Sequence, residues 1–238
     1  MKEFGRWVLA GALLAVAACG DSPSPAETAR LEALQAQVAS LEQRLARVQA
    51  SKDIKLLQAA FGFYADKALW DEAANLFADD GTLEVGLDGV YSGKARIREY
   101  LYAFGGGKQG LSDGELTEYM QVMPVITVAA DGMTAKGRWR SIIMTGKLGE
   151  SALWGEGPDE NDYVNDGGVW KIKSLHWYDS FLVPYESGWL ETADPTGGKF
   201  VTSLTPDAPP TVEYKTWPDT YLPPFHFPNP VKTYVAHE

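Results

Sequence analysis

The sequence predicts an α+β protein, with helices packed on one face of a curved antiparallel sheet and a long helix or coiled coil ahead of them. Three observations carry that expectation. Apolar residues recur at three- and four-residue spacings over residues 31–48 and again over residues 54–69. Period-two runs separated by glycine-containing turns fill residues 119–181. Helical patterns come first and strand patterns after, the order of an α+β domain rather than of alternating β and α units.

The elements follow in chain order. Ser24-Pro25-Ala26-Glu27 has the form of a capping box with proline at the first helical position. Leu31, Leu34, Val38, Leu41, Leu45 and Val48 then form an a/d seam, which marks residues 26–50 as a coiled-coil helix. A narrow stripe on a lone helix cannot bury itself, so self-association into a dimer or trimer is expected; packing along its own domain is the alternative. From Asp53 the spacing is that of a domain helix reaching about Leu69, and Asp71 opens a second one ending near Phe77. Asp79-Asp80-Gly81 reads as a turn, residues 82–85 as a short strand and residues 94–104 as a third helix. Residues 119–129, 134–145, 152–164 and 169–181 are the strand candidates, with a hairpin turn at Asp131-Gly132 and another at Asn165-Asp166-Gly167-Gly168. These elements make one domain over residues 53–183. Ten of the fourteen prolines lie from Pro184 onward, which forbids regular structure, yet Trp189, Trp217, Tyr221, Phe225 and Phe227 are too apolar for a solvated linker. Residues 184–238 are therefore expected to form an extended strap laid across the domain.

Composition excludes several functions. The 238 residues carry a formal net charge of -11, and an acidic surface repels phosphate backbones, so no nucleic-acid partner is expected. One cysteine excludes an internal disulfide, and three histidines leave little for a zinc centre. No metal-ligand spacing is present. Gly93-Lys94 lacks the upstream glycine of a phosphate loop, and there is no Gly-x-Ser-x-Gly elbow. No metal and no cofactor are expected.

The first residues read as an address. Lys2 and Arg6 precede an apolar run at residues 7–18 that is too short to span a membrane and suits a signal sequence. Val16-Ala17-Ala18-Cys19 looks like a bacterial lipobox. That resemblance implies a signal peptide over residues 1–18, acylation of Cys19, and a tether over residues 19–25. Gly20 rather than aspartate after the cysteine favours the outer over the inner membrane. The expected location is the periplasm, anchored through lipid; an ordinary signal peptide cleaved after an Ala-x-Ala-like site is the alternative.

Several segments together resemble SnoaL-like domains of the NTF2-like superfamily, which fold as a cone. They are Phe63-Tyr64-Ala65-Asp66-Lys67-Ala68-Leu69-Trp70-Asp71-Glu72, Leu76-Phe77-Ala78-Asp79-Asp80-Gly81-Thr82, Val90-Tyr91-Ser92-Gly93-Lys94-Ala95-Arg96-Ile97, and Tyr163-Val164 through Gly168-Val169-Trp170-Lys171-Ile172. The likeness covers roughly residues 53–181 and implies a pocket for a small molecule. The family includes dehydratases, isomerases and lyases that work without a cofactor, and proteins with no activity. In its scytalone dehydratase branch an aspartate late in the first helix and two histidines on the sheet face the pocket. Asp66 is similar to that aspartate. No histidine stands near Tyr119 to Gln121, where the first would fall.

Strand alternation supplies the other candidates. On the last strand Trp170, Ile172, Ser174, His176 and Tyr178 share a face. Because Trp170 and Ile172 are apolar, that face is expected to be the enclosed one, with His176 and Tyr178 as acid, base or oxyanion donors. Asp66, His176, Tyr64 and Tyr178 are thus the candidate catalytic residues. Trp70, Tyr119, Gln121, Trp139, Trp154 and Tyr163 are the candidate substrate-binding residues. The functional expectation is a membrane-anchored protein binding a small apolar or aromatic molecule, with acid–base dehydration, isomerisation or carbon–carbon lysis as its chemistry. The alternative is a non-catalytic binding or assembly lipoprotein.

Overall fold

Helix α1 runs unbroken over Pro25–Asp66 in the computed structural model, which describes residues 24–231. The expected signal peptide over residues 1–18 and the expected acylation site Cys19 lie outside the described residues. The Ser24 amide donates to Glu27 Oε2 at 2.8 Å and the Glu27 amide to Ser24 Oγ at 3.3 Å, so the capping box forms. The sequence suggested separate helices meeting near residues 50–53. Neither glycine nor proline occurs from Ala26 to Phe61, and side-chain bonds from Gln49 to Asp53 and from Ser51 to the Arg47 carbonyl span the join. By its contacts the chain divides into two units at Leu45/Ala46. In the first, Leu31, Leu34, Val38, Leu41 and Leu45 are all exposed. In the second, Ile54, Gln58, Phe61 and Ala65 are buried at the three- and four-residue spacing of one helix face. The helix stops at Asp66, and Ala68 turns the chain with φ 52°.

The second unit continues with α2 (Trp70–Asn75), β1 (Phe77–Val85), β2 (Val90–Ser92) and α3 (Lys94–Phe104). Then come β3 (Glu115–Val128), β4 (Thr134–Lys147), β5 (Ser151–Asp166), β6 (Val169–Trp177), β7 (Phe181–Pro184) and the short α4 (Gly188–Glu191). One sheet holds the seven strands in the order β2-β1-β6-β5-β4-β3, with β7 on β5. The sheet is mixed rather than wholly antiparallel, because β1 lies parallel to β6. Hairpin turns govern only the second half of the chain; β1 reaches β6 through a long crossover that no local turn signals. Asp79-Asp80-Gly81 is no turn between elements but an irregularity inside β1, where the register against β6 shifts between Phe77 and Thr82.

One extra residue in β6 decides which side chains are enclosed. Tyr163 pairs with Ile172 but Asp162 with Ser174, so Lys173 is unmatched on β5 and the strand bulges. Alternation runs inward at Trp170 and Ile172, then resumes inward at Leu175 and Trp177. Beyond Trp177 the chain still bonds β5 through the Tyr178 and Ser180 amides before pairing as β7. Gly155 and Gly157 permit that approach: a Cβ on Gly157 would stand 2.0 Å from the Tyr178 carbonyl oxygen.

The C-terminal segment is held by named bonds. Asp88 accepts the Phe200 and Val201 amides and the Tyr100 hydroxyl, the Tyr91 hydroxyl donates to the Leu204 carbonyl, and Arg96 pairs with Asp207 at 2.9 Å.

Candidate functional site

The helices and one face of the sheet line an open cavity of about 580 Å³, a size that suits a drug-sized molecule. Phe61, Ala65 and Ala68 reach it from α1 and the turn after it, Trp70 from α2, and Leu83, Ile143, Leu175 and Trp177 from the sheet. Phe200 and Lys199 of the C-terminal segment complete its wall. Exposed Lys108 and Lys147 also line it, and Lys108 pairs with Glu115 at 2.7 Å. Two phenols, Tyr100 of α3 and Tyr119 of β3, line the wall, the Tyr119 ring edge-on to Phe61 with centroids 6.1 Å apart.

Behind this wall lies a buried polar network. Gln58 of α1 donates to Gln121 at 2.9 Å and accepts from the Tyr163 hydroxyl at 2.7 Å, and Trp139 Nε1 donates to that hydroxyl at 2.8 Å. Asn161 adds longer contacts to both and accepts the His176 amide at 3.2 Å. Next to it, Asp159 is 0% exposed. The Ser141 hydroxyl donates to Asp159 Oδ2. Burial pushes the Asp159 carboxyl up to about 7 and the Tyr119 phenol well above its ordinary value, the Asp159 charge adding to the latter. An acid so tuned can hold or release a proton near neutrality.

Residues 46–176 match the family described as the SnoaL-like domain. The chain belongs to that family. No curated protein matches the sequence. Among solved structures, a putative scytalone dehydratase from Novosphingobium aromaticivorans is 16% identical with a TM-score of 0.51, over 59% of this chain and 90% of its own. A type 2 hexachlorocyclohexane dehydrochlorinase is 17% identical with a TM-score of 0.50, over 59% of this chain and 92% of its own. These likenesses establish the fold.

The SnoaL-like domain distributes the candidate residues unevenly. Trp70 and Tyr119 line the cavity. Gln121, Trp139 and Tyr163 belong to the network behind it. Asp66 is buried at the end of α1, where its Oδ1 accepts the Tyr119 amide; burial raises its carboxyl, that bond opposes the shift, and it is not among the cavity-lining residues. Tyr64 is half-buried against the core, likewise outside the cavity wall. Trp154 points to the opposite face of the sheet and packs on Trp189, centroids 4.5 Å apart; its neighbour Leu153 lines the cavity instead.

His176 and Tyr178 do share a face and stack at 3.7 Å, but it is not the cavity face. The bulge at Lys173 turns them beneath the C-terminal segment, where Glu84 accepts the Thr211 amide and hydroxyl at 2.8 Å each. His176 Nδ1 stands 3.5 Å from Glu84, and burial pushes the imidazole down to about 4, so it is neutral there.

Sequence reading passed over Asp159, Ser141 and Gln58. The signal for the first was available: counting back by twos from Tyr163 along β5 gives Asn161, Asp159, Gly157 and Gly155, all buried. Gln58 continues the Ile54–Phe61–Ala65 face, where a polar residue demands a buried partner.

Proposed function

We propose that this SnoaL-like protein binds a small, largely apolar or aromatic molecule in the cone cavity. It acts on that molecule by acid–base chemistry with its own side chains: dehydration, isomerisation or carbon–carbon lysis. The observation that carries this reading is an apolar cavity of about 580 Å³ whose wall holds Tyr119, with the buried Asp159 carboxyl behind it. A positioned acid or base contributes on the order of 10²–10⁴ in rate, and fixed donors at the oxygen that gains charge supply more. Two of the solved relatives are named for eliminations, which is the same class of reaction. In this reading Cys19 carries the lipid that tethers the protein in the periplasm.

A second reading, assembly through the N-terminal helix, is favoured by the seam: Leu31, Leu34, Val38, Leu41 and Leu45 are each about half exposed or more, from 48% to 68%. A native mass spectrum of the chain beginning at Gly20, recovered from its own host, separates the two. A co-purified small molecule released on denaturation is the expected result. Tyr119→Phe should then keep the fold and slow turnover of that molecule by roughly 10²-fold. An empty cavity in a defined dimer or trimer would move the weight to assembly.

A further inference from the structure

The balance of charge reverses at the cavity. The chain as a whole carries 21 lysines and arginines against 32 aspartates and glutamates. Among the described residues that line the cavity, the cations are Lys108, Lys147 and Lys199, and the one carboxylate is Glu115. A molecule this acidic repels anions at long range, so cations gathered along one lining make a local field of the opposite sign.

Strand register puts two of these lysines at one end of the wall. Residues two apart on a strand share a face, so three rows of side chains follow one another along β3, β4 and β5. In the first row Tyr119 pairs with Ile143, an aromatic ring beside an aliphatic chain, and Phe61 packs edge-on to that ring. In the second, Thr117 pairs with Thr145, and Thr145 with Leu153. In the third, Glu115 pairs with Lys147, and Lys147 with Ser151. One wall thus passes from apolar through hydroxyl to charged over a strand distance of about 13 Å.

At the charged end the cations outnumber the anion they surround. Lys108 Nζ pairs with Glu115 at 2.7 Å, the Ser112 amide donates to the same carboxylate at 2.7 Å, and Lys147 adds its charge from the neighbouring strand. Together they hold the Glu115 carboxyl below its ordinary range. Lys147 also pairs with Glu150, which is 61% exposed and outside the lining; such a surface pair is weak and yields to a better partner. Lys199 is exposed and makes no ion pair among the described residues. Its neighbour Phe200 packs edge-on to Phe104, centroids 6.3 Å apart, where the loop that carries Lys108 begins. Lysine stems are apolar, so they can line a cavity while their ammonium groups stay in water within reach of a ligand. We infer that the ligand is an amphipathic carboxylic acid, its apolar body lying against Tyr119 and Ile143 and its carboxylate held between Lys108 and Lys147, with Lys199 adding positive charge from the C-terminal segment. This inference rests on the cavity's being a small-molecule site and names the class of molecule that the site takes.

Equilibrium dialysis of the full chain tests the assignment, with pyrenebutanoate as the acid and pyrenebutanol as its uncharged counterpart. Burial in an apolar cavity favours the alcohol, which has no charge to desolvate, so tighter binding of the acid has to come from the cations. The acid should bind about tenfold more tightly at low ionic strength, and the preference should shrink to about twofold at about 0.5 M salt. Lys147→Met combined with Lys199→Met keeps two apolar stems, removes two exposed charges and leaves Lys108 balanced by Glu115. The double variant should keep the fold, lose the preference and bind the alcohol as before. Thr145→Trp fills the middle row and should weaken both probes, which locates them in the cavity. Equal binding of the two probes overturns the carboxylate assignment and leaves the cavity reading standing, as does a preference for the acid that survives the double substitution. Acid binding that Thr145→Trp leaves unchanged lies elsewhere on the surface and overturns it too. If neither probe binds, the cavity reading itself is overturned and this inference falls with it.

Discussion

Asp66 and Asp159 show how one residue type takes two roles according to what its oxygens meet. Asp66 ends α1 with a carboxylate oxygen on the Tyr119 amide, so it fixes the C-terminal end of the helix to β3 and thereby the ring that lines the cavity. Asp159 has one oxygen on the Ser141 hydroxyl and the other without a close partner, in a fully buried place. The first arrangement is a structural tie and the second a tunable acid. Asp66→Ala should therefore leave the Tyr119 amide unsatisfied and lower unfolding stability by about 1–3 kcal/mol in urea titrations. Ligand affinity should fall only as far as Tyr119 loosens. Loss of all turnover with unchanged stability would instead make Asp66 a catalytic base.

Among the elements, β6 carries the largest consequence in the fewest residues. Its bulge sends Leu175 and Trp177 into the cavity wall and His176 with Tyr178 to the other side. Deleting Lys173 removes the unmatched residue and restores simple alternation, which exchanges every side chain beyond it between the two faces. An imidazole and a phenol would then enter the apolar cavity while an indole and a leucine left the core. Loss of a cooperative thermal transition is expected by calorimetry, with near-native melting overturning the role given to the bulge. The same residue marks where the sequence stops being legible. Helix α3 begins and ends at the expected residues, and the four long strands and the Ser24 cap fall close to their patterns, because spacing and capping are local properties. The faces of His176 and Tyr178 are not local: they depend on pairing with β5 across a bulge whose only trace is one lysine among several. Likewise β1 shows nothing of its parallel partner, and β2 is three residues long, too short for a periodicity. Trp70 and Tyr119 were legible as pocket residues. Asp159 was hidden among the charges of Pro158-Asp159-Glu160-Asn161-Asp162, of which only alternation separates it.

At the scale of the whole molecule, the C-terminal segment closes over the second unit through a contact that stability against pH can read. The Asp179 amide donates to the Tyr214 hydroxyl at 2.9 Å, the Trp217 amide to the Ser180 carbonyl at 2.9 Å and the Asp194 amide to the Trp217 carbonyl at 3.0 Å. These bonds bring Asp179 and Asp194 together in burial, Asp179 2% exposed and both its carboxyl oxygens without a close partner. Burial first, and then the Asp194 carboxyl beside it, push Asp179 up to about 9. The folded protein therefore binds a proton there that the unfolded chain, with an ordinary aspartate near 4, has already lost. Its contribution is complete below about pH 4 and is lost as pH rises to about 9. Asp159 acts with the same sign up to about 7. His176, held neutral in the fold down to about 4, has the opposite sign, since its contribution is lost as pH falls from about 6.5 to about 4. Above about pH 6.5 the imidazole no longer opposes, and melting temperature should fall steadily toward pH 9. Asp179→Asn keeps an uncharged side chain of the same shape, so it should flatten that alkaline limb and raise the melting temperature at about pH 8. Calorimetric scans from about pH 5 to about pH 9 measure both limbs. An alkaline limb in Asp179→Asn parallel to that of the unmodified chain would mean that the carboxyl is already ionised in the fold. The segment would then be held by its backbone bonds alone.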